Sequence, residues 1–358
     1  MVLNGVIGEV DEGDAIQRAF RLPPIALGIA IGVLVASLSF GVAVGAAEVP
    51  FAGIIRSLFD HLPILSVDSG LSDTQETILW QWRIPRLLLG ALVGASLAVS
   101  GAAYQGVFRN PLADPFLLGA AAGAGLGATL VIVTDSDRSF GPIGTVPLAA
   151  FAGALLGVGM SALLGRSAGR STASLLLAGV ASAAFLTACQ TFLMQRHVAS
   201  IQEVYGWLIG RLSTSGWTEV NLLLPYFVVC GLVIFLNRRQ LDVLRLGDDE
   251  AKSLGVNPAR VRLLVVIAAS FLTAAAVAVS GLIAFVGIVV PHIIRLTVGS
   301  SYRIVIPLSA VIGAAFLSVG DVAARTALSP AELPIGVVTA FVGAPFFAVV
   351  LWRTRGEI

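Results

Sequence analysis

The only lysine of the chain, Lys252, sits in Gly247-Asp248-Asp249-Glu250-Ala251-Lys252-Ser253, the one place where the sequence approaches a phosphate-binding loop. Such a loop needs Gly-x4-Gly-Lys-Ser/Thr, so that backbone N–H groups and the lysine together cradle phosphate oxygens. Here Ala251 replaces the second glycine, and three consecutive carboxylates would repel the anion, so hydrolysis of ATP is expected on another chain. Asp114, Asp321 and Glu332 lie at the ends of apolar runs, and none of the acids falls in the middle of one. A proton-driven carrier ordinarily holds ionisable groups at mid-membrane. Their placement argues against that class, while sodium bound by backbone carbonyls stays open. Cys189 and Cys230 lie in apolar runs and read as core side chains. His292, beside Pro291, is conceivable as a haem ligand and more ordinary as a packing residue; His61 and His197 fall in outer loops. No catalytic residue, metal site or cofactor is expected.

These side chains must be positioned by membrane helices. Of 358 residues, 57% are hydrophobic and 12% charged, whereas a soluble domain carries about 25% charged residues. A water-facing surface of this size cannot be coated at half that fraction, which excludes an ordinary soluble enzyme. With 22 cations against 21 acids the net charge is +1, so no nucleic-acid partner is implied. A span needs about 20 apolar residues. Runs without charge cover 25–47, 87–108, 116–134, 140–165, 175–195, 220–236, 263–294, 304–320 and 333–352. The seventh exceeds one span and is divided near Gly281 to Gly287, giving ten helices; undivided, it gives nine. The first run is longer than the core of a cleaved signal and is expected to be retained.

With the N-terminus in the cytoplasm, fifteen of the 22 cations fall on inner segments and seven on outer ones. The positive-inside bias therefore places both termini in the cytoplasm. Residues 1–24 and 354–358 are expected as cytoplasmic tails and 25–353 as the transmembrane domain. Gly119, Gly123 and Gly127, with the pairs Gly90/Gly94 and Gly153/Gly157, predict faces on which helices approach closely. Ala98-Val-Ser-Gly101 recurs as Ala278-Val-Ser-Gly281, once on an inward and once on an outward span, which hints at an inverted repeat. In the inner segment 237–262, acids gather at the start of a short helix that Gly255 and Pro258 end. That helix either presses on a partner or is simply a solvated connection.

Trp80-Gln-Trp-Arg83-Ile-Pro-Arg86, Arg109-Asn-Pro-Leu-Ala-Asp-Pro115, Leu175-Leu-Leu-Ala-Gly-Val180 and Leu246-Gly-Asp-Asp-Glu-Ala251 follow one another along the chain. Gly287-Ile-Val-Val-Pro-His-Ile-Ile-Arg295, Ala331-Glu-Leu-Pro-Ile-Gly-Val-Val-Thr339 and Gly343-Ala-Pro345 complete the series. Together, in this order and spacing, they resemble the FecCD family, the permease subunits of type II ABC importers for ferric siderophores, haem and cobalamin. The resemblance covers about Trp80 to Arg353.

The resemblance implies an all-α polytopic permease of ten transmembrane helices with an inverted repeat, in a bacterial or archaeal plasma membrane. It implies a second permease copy or paralogue, two cytoplasmic ABC ATPase subunits and an extracytoplasmic substrate-binding protein. Arg83, Arg86 and Arg325 match family arginines that pair with glutamates of the binding protein, a task suited to a planar guanidinium; snorkelling to the interface is the alternative. Leu246, Gly247, Asp248, Asp249, Glu250, Ala251, Leu254 and Gly255 match the segment that couples to the ATPase. Ser171 and Thr172 match the cytoplasmic gate, although Ala173 stands where some members carry a hydroxyl. The expected function is import of a bulky metal chelate, a ferric siderophore ahead of haem or cobalamin. An ion-coupled secondary carrier is the rival class.

Overall fold

The computed structural model describes residues 22–45, 49–61, 68–134, 144–169, 172–212 and 216–354, and among them the regular elements are helices. In chain order these are α1 (Pro24–Ala43), α2 (Phe51–Asp60), α3 (Asp73–Phe108), α4 (Ala120–Val133), α5 (Thr145–Ser167), α6 (Thr172–Arg196) and α7 (Ile201–Leu208). There follow α8 (Trp217–Leu236), α9 (Arg238–Leu244), α10 (Asp248–Ser253), α11 (Pro258–Ser280), α12 (Val286–Thr297), α13 (Tyr302–Thr326) and α14 (Ile335–Thr354). Seven of them are long and apolar enough to cross a membrane: α1, α3, α5, α6, α8, α11 and α13. The apolar α4, α12 and α14 are shorter, and the described residues thus hold the expected ten.

Helix α3 is the axis of the bundle. A capping box starts it: Ser72 Oγ accepts from Gln75 N–H at 3.3 Å, and Gln75 Oε1 accepts from Ser72 N–H at 3.1 Å. A π-helical turn over Ile78–Arg83 widens the helix just before Pro85, which has no N–H for the carbonyl four residues back. Every residue from Val93 to Phe108 is buried. An all-round apolar helix is stable only where neighbours enclose it, and α8, α11, α12 and α13 do so.

Two sets of four helices, α3–α6 and α11–α14, each place a short helix between two long ones and add a fourth apolar helix. Each short helix opens on a residue in the left-handed region, Gly119 (φ 78°) before α4 and Phe285 (φ 71°) before α12. A phenylalanine rarely adopts that conformation; its ring here occupies the space left by the missing side chain of Gly343. The sets are inverted. Tyr104 Oη and Ser270 Oγ lie 2.6 Å apart near the C-terminal end of α3, whereas Leu212, whose N-terminal neighbour Arg211 donates to Ser280 O, packs beside Gly90, about four turns earlier. Helix α3 therefore runs antiparallel to α11.

Glycines set the helix spacing. A Cβ on Gly94 would meet the carbonyl of Gly313, one on Gly101 that of Gly287, one on Gly123 that of Gly153, and one on Gly157 that of Gly119. The glycine faces read from the sequence thus meet backbone directly, the contact small residues permit in lipid.

Several expectations are corrected. The third span starts at Ala120, not residue 116, because Asp114 Oδ1 accepts from Phe116 N–H at 2.7 Å in a turn that continues to Gly119. The second helix starts at Asp73, not residue 87, because a search for uncharged runs stops at Arg83 and Arg86, which the helix passes through. Pro258 does not close the connector helix; it is the first residue of α11, behind the N-cap Asn257. The division of the 263–294 run falls as expected, between Ser280 and Val286. The two Ala-Val-Ser-Gly copies do not superpose in the repeat: Gly281 follows the end of α11, while Gly101 lies about two turns before the end of α3. Residues 1–21 and 355–358, most of the expected tails, lie outside the described residues.

Gly101→Ala is expected to destabilise the protein by about 1–3 kcal/mol, read as a lower unfolding temperature in detergent. Gly159→Ala, where a Cβ meets nothing within 4 Å, is the control and should leave it level or slightly raised.

Candidate functional site

Charged residues gather at two opposite ends of the bundle. At one end α9 and α10 join α8 to α11. Gly247 (φ 136°) lets the chain turn sharply into α10, and Gly255 (φ 79°) lets it leave, both in conformations that side chains disfavour. Ala251 is fully buried and fixes the inner side of α10, and its carbonyl accepts from Val256 N–H at 2.9 Å. Leu246 and Leu254 point outward, 63% and 61% exposed, and the Asp249 side chain is 90% exposed. Glu250 lies over Gly247, where any Cβ would strike its carboxylate. The connector therefore offers two leucines flanking an acidic turn.

Asp248 is held from two sides. Arg262 donates both terminal nitrogens to it, Nη1 to Oδ2 at 2.7 Å and Nη2 to Oδ1 at 2.5 Å, and Arg109 also donates to Oδ1. The Arg262 hydrogen bonds, reinforced by the charges of Arg262 and Arg109, hold its carboxyl down at about 2. Arg109 is the left-handed C-cap of α3, with φ 52°. Beside this fork, Asp242 of α9 caps α13, accepting from Ser301 Oγ and Tyr302 N–H, both at 2.7 Å. Sequence reading singled out Asp248 but neither its partners Arg109 and Arg262 nor Asp242 as the cap of α13. Arg109 lay inside a recognised motif, but nothing in the spacing pairs it with a residue 139 positions on.

At the opposite end Arg83, Arg86 and Arg325 come together, and all three are bound inside the chain. Arg86 donates Nη1 and Nη2 to the two carboxylate oxygens of Glu332, each at 2.9 Å, and Nε to Asp321 at 3.0 Å. Arg325 pairs with the buried Asp321 at 3.0 Å and donates to the carbonyls of Val44 and Gly41 at 3.0 and 3.1 Å. Arg83, 6% exposed, donates to Val42 O at 2.8 Å. Those carbonyls belong to the last turn of α1, where helical partners run out and a cation is favoured. Close by, Trp80 Nε1 donates to Ser57 Oγ at 2.9 Å, Ser57 Oγ to Glu76 at 3.0 Å, and the His61 ring stacks on Trp80 at 3.8 Å, tying α2 to α3.

Between the two ends, a cavity of about 620 Å³ opens beside α14, lined by Leu208, Ile209, Leu282, Ala284, Phe341 and other apolar residues. Thr172 begins α6, and Ser171 lies outside the described residues. His292 meets Phe346 edge to face at 5.9 Å.

An all-helical, multi-pass bundle with an inverted repeat and an exposed acidic connector at one end is the architecture of a transport permease. The comparisons agree. Residues 24–353 match the FecCD transport family, and the chain belongs to it. An ABC transporter permease of Bacillus subtilis is 38% identical over 91% of this chain and 92% of its own length. The cobalamin import system permease of Halobacterium salinarum is 42% identical over 79% of this chain and 75% of its own, and an Fe(3+)-citrate import permease of B. subtilis 33% identical over 93% and 96%. A solved inward-facing metal-chelate-type ABC transporter superposes with a TM-score of 0.78 at 30% identity, over 92% of this chain and 99% of that one. The protein is the permease of an ABC importer of the iron-chelate and cobalamin type.

Removing Arg86 leaves Asp321, which is 1% exposed, with Arg325 as its remaining partner. Arg86→Gln should cost less than the about 3–5 kcal/mol of a fully uncompensated buried charge, because Arg325 stays paired with Asp321, and Asp321→Asn in the same chain should return part of the lost unfolding temperature. The exposed fork on Asp248 contributes less, about 0.2–1 kcal/mol. Because that carboxyl is lowered from 3.8 to about 2, its contribution is full above 3.8 and fades as pH falls through about 2. The difference in unfolding temperature between wild type and Asp248→Asn should shrink over that interval.

Proposed function

We propose that this permease carries a bulky metal chelate, a ferric siderophore first, across a bacterial or archaeal plasma membrane with both termini in the cytoplasm. The observation that carries the cargo reading is the apolar cavity of about 620 Å³ beside α14, of a size for a small-molecule ligand and edged by small residues such as Ala284 and Gly336. A second permease copy would cover the apolar faces that α6 and α14 leave open, including Val180, Phe185, Phe341 and Val342, and the path would run between the copies. Cobalamin is the second reading, favoured by the 42% identity to the Halobacterium permease.

Two ABC ATPase subunits would engage Leu246 to Gly255 at the cytoplasmic end, with Leu246 and Leu254 seated in a groove and the acids facing cations. The gate would be formed near Ser171 and Thr172. A binding protein would dock on the arginine end. Arg86 can take a carboxylate of that protein in exchange for Glu332, whose side chain is 40% exposed. Nucleotide closes the ATPase pair, α10 moves, and the path changes sides. Cargo and nucleotide drive the change only through their different affinities for the two states.

In proteoliposomes, the permease alone should concentrate no ferric siderophore under ATP or an ion gradient and should hydrolyse no ATP; adding its ATPase and binding protein should start uptake. Accumulation by the lone chain under an ion gradient would replace this reading with the secondary carrier. Glu332→Gln frees the Arg86 fork and should tighten binding-protein docking several-fold, about 1 kcal/mol for an exposed pair, in a pull-down titration; unchanged docking removes Arg86 from the interface.

A further inference from the structure

We propose that Arg109 and Arg262 are positioning residues that lock the connector helix α10, through Asp248, to both halves of the inverted repeat at once. The inference rests on α10 being the element the ATPase pushes, and it names the residues that carry the push inward.

The geometry singles out this fork. Asp248 is the first residue of α10, Arg109 caps the end of α3, and Arg262 stands in the opening turns of α11. Helices α3 and α11 are the corresponding long helices of the two sets and run antiparallel, so one carboxylate holds the last turn of one and the first turns of the other. The backbone supplies little stiffness here. Gly247 and Gly255 flank α10 in conformations where glycine moves most freely, and six residues make no stable helix alone. Of the other charges on α10, Lys252 pairs with Asp249 on the same turn, at 2.9 Å, and Glu250 bends back over Gly247. Asp248 is thus the charge by which α10 grips the bundle, and a bidentate guanidinium fork transmits direction as well as force.

The grip continues beyond Arg109. One turn earlier on α3, Gln105 Nε2 donates to Gly287 O at 3.0 Å and to Ala113 O at 3.3 Å, and its Oε1 accepts from Arg295 Nη1 at 2.5 Å. Gly287 and Arg295 lie on α12, and Ala113 lies in the turn that leads into α4. Displacement of the α3 end therefore reaches both short helices, which sit in matching places of the two sets. A merely solvated connector would need none of these bonds.

The test has two arms. In the permease alone in lipid nanodiscs, Arg109→Gln should raise amide hydrogen exchange over residues 247–254 by about tenfold or more while α9 keeps its protection. In the importer reconstituted with its ATPase and binding protein, Arg109→Gln and Arg262→Gln should keep ATPase association and hydrolysis, while uptake per ATP falls by about tenfold. Arg109→Lys, which keeps the charge without the fork, should recover part of that ratio, and Arg109→Gln should add little to Asp248→Asn. Wild-type exchange together with a wild-type transport ratio in Arg109→Gln overturns the proposal. Failure of the wild-type ATPase to cross-link to Leu254→Cys would instead defeat the docking reading, and the exchange arm would still decide the lock.

Discussion

Backbone has to meet backbone in this bundle. Lipid offers no hydrophobic force between helices, since its tails are as apolar as leucine, so association comes from dispersion at close range and from whatever polar bonds cross between helices. Four contacts in which a glycine on one helix faces a carbonyl of another, Gly94 with Gly313, Gly101 with Gly287, Gly123 with Gly153 and Gly157 with Gly119, set the distances at which α3 meets α13 and α12, and α5 meets α4. Once those distances are fixed, Leu97, Tyr104, Leu272, Val290 and Leu317 fill the centre around α3. Tyr104 and Ser270 within it bond to each other across the helices, and Thr273 Oγ1 donates to Ala269 O.

The same constraint sends charge to the two ends, and there it does two different things. At the arginine end, guanidiniums fill the unpaired carbonyls of the last turn of α1 and surround Asp321, so the first helix, which buries only Ala30, Ser37 and Gly41, is held by its end more than by its sides. At the connector end, Asp242 caps α13 and Asp248 takes two arginines, leaving Leu246 and Leu254 exposed on either side of α10 and Asp249 exposed beside Lys252. One end is closed on itself and the other presents a surface.

The inverted repeat gives such a subunit two related packings from one plan. Each set contains a short helix opened by a left-handed residue, Gly119 in one and Phe285 in the other. The irregular backbone just ahead of these helices packs into the bundle, with Leu118, Gly119 and Ile283 buried. Helix α14 and the 281–285 segment border the large cavity, so the second set shapes that cavity while its first helix, α11, also carries Arg262.

Composition alone excluded a soluble protein, because so few charges cannot cover a surface in water. The nine apolar runs, the division of the seventh near Gly281 and the glycine faces were legible because burial in hydrocarbon writes itself into local sequence. The ordered motifs identified the family by the same local spelling. The start of α3 was misread because Arg83 and Arg86 interrupt an uncharged run, and only their partners, on α1, α13 and at Glu332, make those charges tolerable inside a helix. Arg109, Asp248 and Arg262 were each visible as charges, yet their meeting was not, since it requires α3 to end where α10 begins and α11 starts. Local sequence determines which segments leave water, because transfer free energy is paid residue by residue. Which charges meet depends on helix ends brought together from distant positions, and that is decided by the packing of the whole bundle.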